Sequence, residues 1–229
     1  MCISVLRLMR IVAAVATGSA VGPSEADYFS PMPSSPSTDV PAALAAAVRE
    51  YRQQGDLGAL LDRVKAIVRE APAAVLAPAA APFMDLPEVV IPVYERIVEA
   101  SPTEAQPMVV LANAYWLTGR GADVVGELAE RAKRADAGNR GAWHLWALAQ
   151  SDPRARMERW REVTERFPAD QLARAALADN AASVAGAEHD PLALDLAVRT
   201  YEGLWAEASR DEERQALEES LTKLKGWKL

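Results

Sequence analysis

Three prolines close amphipathic stretches at equivalent points of this sequence, and their shared phase constrains the fold more than any other feature. Pro72, Pro102 and Pro168 each follow a run with the 3.6-residue periodicity of an α-helix. Because proline cannot continue a helix, each one marks a helix end. Helix ends that recur at one phase of a longer pattern predict an array of similar helical units.

The residues between these prolines repeat as well. A window that starts at Pro41 carries apolar or small residues at offsets 4, 7, 8 and 11, and a glycine at offset 15. These residues are Leu44, Ala47, Val48, Tyr51 and Gly55. A window that starts at Ala105 places Met108, Leu111, Ala112, Tyr115 and Gly119 at the same offsets. Each window therefore predicts two helices joined by a glycine turn.

This pattern resembles the tetratricopeptide repeat (TPR) family, whose units place large, small, tyrosine, glycine and proline residues at these offsets. Looser units occupy 73–102, 140–168 and 171–208, and a final helix is predicted over 210–225. The resemblance covers a domain at 42–226. It implies an all-α fold, namely a right-handed α-solenoid of about five helical hairpins with a C-terminal capping helix.

Composition agrees with an all-α fold and excludes several functions. Alanine is abundant and aromatic residues make up 6% of the chain. The net charge of −7, without a block of like charge, disfavours a nucleic-acid partner. A lone cysteine, Cys2, excludes an intramolecular disulfide and a thiolate metal site, and the two histidines, His144 and His189, leave little for acid–base chemistry. We expect no catalytic residue, no metal and no cofactor.

Two interpretations fit the start of the chain. Residues 1–21 combine early arginines, a short apolar run and small residues, which is typical of a signal peptide and would make the protein secreted or periplasmic. Alternatively, they form a disordered start of a cytoplasmic protein. The apolar run is too short for a stable membrane span. Residues 22–41 are rich in proline and serine, which is typical of a linker.

The resemblance also implies where a partner binds, because offsets 2, 5, 9, 12 and 13 of each first helix line a concave groove in the family. The predicted groove residues are Arg49, Arg52, Val109, Asn113, Trp116, His144, Leu148 and Asp179. We expect this groove to bind a protein or peptide segment. The alternative is a structural component of a cell-envelope complex that assembles through its convex face or its ends. The oligomeric state stays open.

Three local patterns give further expectations. Gly186 is predicted to lie in a long turn between the helices of the last unit. Ser209 with Glu212 predicts a capping box at the start of the final helix. Arg154 with Glu158 has i,i+4 spacing, as does the Glu162–Arg166 pair, and both predict a self-paired charged face.

Overall fold

The computed structural model describes residues 39–228, and within that range it is entirely helical, as the sequence predicts. The predictions for residues 1–21 and for most of the linker lie outside the described residues. The described part contains eleven α-helices and one short 3-10 helix, Ala81–Phe83. The α-helices are α1 Val40–Gln54, α2 Leu57–Glu70, α3 Ala73–Ala80, α4 Pro87–Ala100, α5 Ala105–Leu117, α6 Ala122–Ala135, α7 Arg140–Leu148, α8 Pro153–Arg166, α9 Gln171–Glu188, α10 Pro191–Glu207 and α11 Asp211–Lys225.

The helices form five successive hairpins, α1/α2 to α9/α10, and α11 packs on α10. From the second hairpin onwards, the second helix of each hairpin also packs against the helix that follows it. The first helices contact one another directly in the pairs α1–α3 and α5–α7. Packing between neighbours along the chain is the architecture of an α-solenoid, which buries its core between repeats rather than in one centre.

The repeat positions form this core. Leu44 and Val48 of the first hairpin are buried, as are Met108, Ala112 and Tyr115 of the third. The small residue Ala112 is fully buried, which lets the neighbouring helices approach closely. The sequence pattern therefore identified both the helices and the faces that they bury.

Capping residues fix where most helices begin. In six helices a side-chain oxygen at the N-cap accepts a hydrogen bond from a backbone N–H of the first turn, which satisfies a donor that the helix itself leaves unpaired. These caps are Asp39, Asp56, Asn139, Asp152, Asp170 and Asp190. Asp190 caps a helix that starts with Pro191, a residue that suits the first helical position.

Two hairpins depart from a regular repeat. In the second hairpin, Pro78 lies inside α3, which ends after eight residues and continues as the 3-10 helix. In the fifth hairpin the prediction of a long turn at Gly186 is wrong, because α9 continues through it to Glu188. Helix-forming alanines surround this glycine, and the turn itself consists of His189, in the left-handed conformation with φ 53°, and Asp190.

The final helix is present, but its predicted capping box is wrong. Arg210 occupies the N-cap position, one residue after Ser209, and no side chain caps this end. Leu221 and Leu224 are buried against the preceding hairpin, whereas Trp205 of that hairpin is 41% exposed. No helix within residues 39–228 is both long enough and apolar enough to cross a membrane.

Candidate functional site

The predicted groove residues fall on the first helices α1, α5, α7 and α9, and we call their exposed part the groove surface. Arg49 and Arg52 are both exposed on α1. The four partly exposed members on the other helices are Asn113, Trp116, Leu148 and Asp179. The Asp179 carboxylate accepts a hydrogen bond from the phenol of Tyr201 on α10. The groove surface thus consists of Arg49, Arg52, Asn113, Trp116, Leu148 and Asp179.

Val109 is buried because α7 packs closely against it. Its side chain is 8% exposed. Gly141 of α7 faces it, and a Cβ atom at Gly141 would lie 3.0 Å from Val109 Cγ1. Glycine permits this approach because it has no side chain. Val109 therefore joins the two first helices and offers little surface to a partner.

His144 is also buried, in a pair that connects the fourth and fifth hairpins. Its Nε2 lies 2.7 Å from Asp170 Oδ2. The other carboxylate oxygen of Asp170 accepts hydrogen bonds from the backbone N–H groups of Leu172 and Ala173, which caps α9. The Arg140 guanidinium lies 3.6 Å from the same carboxylate. His144 thus has a packing and hydrogen-bonding role within the stack.

The groups around Asp170 lower the pKa of its carboxyl group. Burial alone would raise the pKa of this carboxyl group, because it removes water from the charged form. The hydrogen bond and charge of His144, the Ala173 N–H and the charge of Arg140 outweigh burial, so the pKa lies below its ordinary value. The carboxylate is therefore the form that the fold favours.

Trp116 has the most unusual environment on the groove surface. Its ring is partly buried, and its Nε1–H is fully buried with no acceptor among the described residues. The next residue, Leu117, is 48% exposed. By contrast, Tyr115 points into the stack, where its phenol donates a hydrogen bond to Glu95 on α4. A buried donor without an acceptor costs about 1–3 kcal/mol, so Trp116 is not optimal for stability.

Two solved structures have a similar overall fold. Two crystal structures of a protein named MamA match with TM-scores of 0.50 and 0.51, at 16% and 14% sequence identity. They cover 76% and 75% of this chain and 95% and 97% of their own. The chain has a TPR-like fold. At these identities the likeness to MamA shows the fold alone.

A third match, to TTC0263, described as a thermophilic TPR protein in Thermus thermophilus, has a TM-score of 0.49. Its identity is 18%, and the match covers 80% of this chain and 99% of that chain. No family model matches this sequence, and no curated protein matches it. The TPR-like assignment therefore depends on the stacked hairpins and on the repeat positions that they bury.

Of the arginines of α8, Arg161 pairs within the helix, with Glu158 and Glu165, whereas the predicted Arg154–Glu158 pair is wrong because Arg154 binds the next hairpin. Arg154 donates to Glu188 and to Asp190, each across 2.6 Å, at the end of α9 and in the turn after it. Arg156 donates to Asn180 across 2.7 Å. These acceptors come from the next hairpin, which sequence spacing within α8 could not reveal.

A second surface feature escaped the sequence analysis entirely. An open cavity of about 350 Å³ lies between α6, the end of α7 and α8. Glu130, Trp146 and Arg159 line it. The Trp146 ring has Lys133 Nζ 3.5 Å from its centroid and Arg159 Cζ 4.5 Å from it. Among the described residues, no cluster of three or more potential metal ligands occurs here or elsewhere.

Exposed apolar side chains concentrate where the two helices of a hairpin meet. Five of the eight exposed large hydrophobic residues within 39–228 lie at or beside these turns. They are Leu57, Met84, Leu117, Val124 and Leu192. Because the first helices of a solenoid run in the same direction, these turns share one side of the stack. We call these five residues the turn edge.

Proposed function

We propose that the protein is a non-catalytic scaffold that binds a peptide or protein segment along the groove surface. A TPR-like solenoid presents its successive first helices as one long surface, and the side chains on that surface determine what binds. An extended or helical segment fits such a surface, because its own side chains can meet successive helices.

Trp116 is the observation that carries this proposal. Tryptophan is enriched among the residues that dominate binding energies. Here it keeps a buried N–H without an acceptor among the described residues, which phenylalanine at the same position would not have. A residue that lowers stability is expected where function requires it. In the proposed complex the indole turns outwards, contacts the partner and gains an acceptor for its N–H.

The charges at the two ends of the groove surface indicate the direction of the bound segment. Arg49 and Arg52 lie at the N-terminal end, whereas Asp179 lies at the C-terminal end. Trp116 and Leu148 supply apolar surface between them. The segment that fits best has apolar residues at its centre and an acidic residue near Arg49 and Arg52.

Affinity capture from the native host, followed by titration of the captured partner, tests the proposal. Trp116→Ala is expected to weaken binding by on the order of 2 kcal/mol, about thirtyfold. Trp205→Ala is the matched control, because Trp205 is 41% exposed on α10, a second helix. Equal affinities of Trp116→Ala and the wild type, or an equal loss in both variants, would contradict binding at the groove.

The turn edge supports a second candidate function, a structural component that assembles through surfaces other than the groove. Leu192 is 79% exposed, and large apolar side chains at that exposure commonly mark contacts with other molecules. Under this alternative, Leu57→Ser combined with Leu192→Ser releases the protein from its native complex, whereas Trp116→Ala does not. Sedimentation of the native complex distinguishes the two functions.

A further inference from the structure

The C-terminal tail of the chain returns to the first helix of the fifth hairpin. After α11, the N–H of Gly226 donates to the Lys223 carbonyl across 3.2 Å, and the N–H of Trp227 donates to the Leu224 carbonyl across 3.1 Å. These two bonds turn the backbone at the helix end. Lys225 also pairs with Glu202 on α10 across 2.7 Å.

The Trp227 ring rests on α9 at Gly186. A Cβ atom at Gly186 would lie 3.2 Å from both Cη2 and Cζ3 of the indole, which is tighter than an ordinary contact between carbon atoms. The absence of a side chain at Gly186 therefore makes room for the ring. The helical glycines Gly126 and Gly203 differ, because a Cβ there would meet its nearest neighbours at 3.5 Å and 3.4 Å.

Gly186 belongs to the stripe of α9 that includes the groove residue Asp179. Asp179, Ala182, Ser183 and Gly186 follow the i, i+3, i+4, i+7 spacing, which places them on one side of a helix. The contact between Trp227 and Gly186 thus places an indole at the C-terminal end of this stripe. Trp227 remains 40% exposed, so the ring lies on the surface of α9 rather than within the core.

We infer that the tail Gly226–Lys228 is a strap, which ties the capping helix to α9 and closes the C-terminal end of the groove surface. The capping helix buries Leu221 and Leu224, and its first turn lacks a side-chain cap. The contact of Trp227 with Gly186 anchors the C-terminal end of α11 to α9, in addition to the packing of α11 on α10. The accessible groove then ends before Gly186.

Fluorine NMR of the full chain, labelled with 5-fluorotryptophan, tests the contact directly. The protein contains six tryptophans, and Trp227→Phe assigns the resonance of Trp227. Gly186→Ala is expected to shift that resonance, because a methyl group 3.2 Å from two ring carbons forces the ring to move. Gly126→Ala, with an ordinary contact at 3.5 Å, is expected to leave it unchanged. A Trp227 resonance that stays in place in Gly186→Ala would overturn the contact.

Hydrogen exchange measured by mass spectrometry tests the strap. Trp227→Ala and Gly186→Ala are each expected to speed amide exchange in α11 about fivefold or more, with unchanged exchange in α5 and α6. Gly126→Ala serves again as the control. Unchanged exchange of α11 in either strap variant would refute the tie. Neither measurement uses a binding partner, so its failure is separate from a failure of the proposed function.

Discussion

The phenol of Tyr115 donates a hydrogen bond to Glu95 Oε1 across 2.6 Å and so connects the third hairpin to the second. The Arg120 guanidinium lies over the same ring, 4.5 Å from its centroid, and 3.8 Å from the Glu95 carboxylate. Tyr115 occupies the tyrosine position of the repeat, and its polar tip contacts the preceding unit. The repeat thus supplies a polar link between hairpins as well as an apolar one.

This link predicts a dependence of stability on alkaline pH. Burial, followed by the hydrogen bond and the charge of Glu95, raises the pKa of Tyr115 to about 12 from 10.0. Because the folded protein holds the phenol proton more tightly than the unfolded chain, this contribution is complete below pH 10 and is lost as pH rises through 12. Glu95→Gln removes the charge and is expected to lower the pKa of Tyr115 towards 10, measured by tyrosinate absorbance.

Tyr94 provides the internal reference for that titration. Burial raises the pKa of Tyr94 as well, but no carboxylate contributes to the shift. Its ionisation is expected to stay unchanged in Glu95→Gln, and Tyr115→Phe identifies the signal that belongs to Tyr115. A signal of Tyr115 that is identical in wild type and Glu95→Gln would contradict this account.

Alanine substitutions at two glycines between the third and fourth hairpins are expected to change stability in opposite directions. An alanine at Gly126 meets Ala149 Cβ at an ordinary 3.5 Å, so Gly126→Ala is expected to raise stability by about 0.5–1 kcal/mol through helix propensity. An alanine at Gly141 meets Val109 Cγ1 at 3.0 Å, so Gly141→Ala is expected to lower stability by about 1–3 kcal/mol through overpacking.

Chemical denaturation of both glycine variants measures these effects. Val109→Ala creates space at the contact, so the double variant Gly141→Ala with Val109→Ala is expected to recover part of the loss. A double variant whose loss equals the sum of the two single losses would show that Gly141 does not depend on Val109.

The lowered pKa of Asp170 predicts that the protein loses stability in acid. This pKa lies below the ordinary 3.8 because His144, Ala173 and Arg140 outweigh the effect of burial. The resulting stability is present above pH 3.8 and is lost as pH falls through the lower folded pKa. Asp170→Asn retains an oxygen that can cap α9 but removes the charge, so urea denaturation at acidic pH should show a weaker dependence on pH.

Asp170→Ala separates the cap from the charge. It removes both functions and leaves His144 buried beside an empty site, so the expected loss at neutral pH is about 2–4 kcal/mol. Asp170→Asn is expected to lose less. If the two variants are equally stable at neutral pH, the capping role of Asp170 is refuted.

The capping helix is expected to keep the apolar surface at the end of the stack from self-association. Leu221 of α11 is buried, as are Tyr201 and Leu204 of α10. Leu221→Ser is expected to loosen α11 and expose this apolar surface, which favours self-association. Glu218→Ser on the same helix, at an exposed position, is the control. Light scattering after size exclusion measures the mass of both, and a monomeric Leu221→Ser variant with unchanged stability would contradict the capping role.

Local patterns were sufficient to predict the helices but not the pairing of charged side chains. Pro72 and Pro102 marked helix ends correctly, because proline acts on the backbone within one turn. Arg154 instead binds Glu188 and Asp190, which lie in the next hairpin, 34 and 36 residues away in sequence. Spacing within one helix shows only which charged partners lie on that helix. A guanidinium can also bind carboxylates of neighbouring helices, and the spacing does not show those.

The repeat offsets predicted which residues line the groove. In the structure, some of these residues are exposed and others are buried. Arg49, Arg52 and Trp116 have surface to offer a partner, whereas Val109 and His144 are buried. Offset 5 was assigned to the groove in both units, but Gly141 of α7 packs against Val109, and His144 is paired with Asp170 at the start of α9. Whether the exposed members bind a partner stays a prediction.

The sequence by itself determined that this chain forms stacked helical hairpins, because helix propensity, proline positions and apolar periodicity all act over a few residues. The tertiary structure decided which side chains remain exposed for contact with a partner. The glycine at Gly141 brings α5 and α7 together over Val109, and the glycine at Gly186 makes room for Trp227. Both depend on distances between helices that are far apart in sequence, and these distances follow from the packing of whole hairpins rather than from any local pattern.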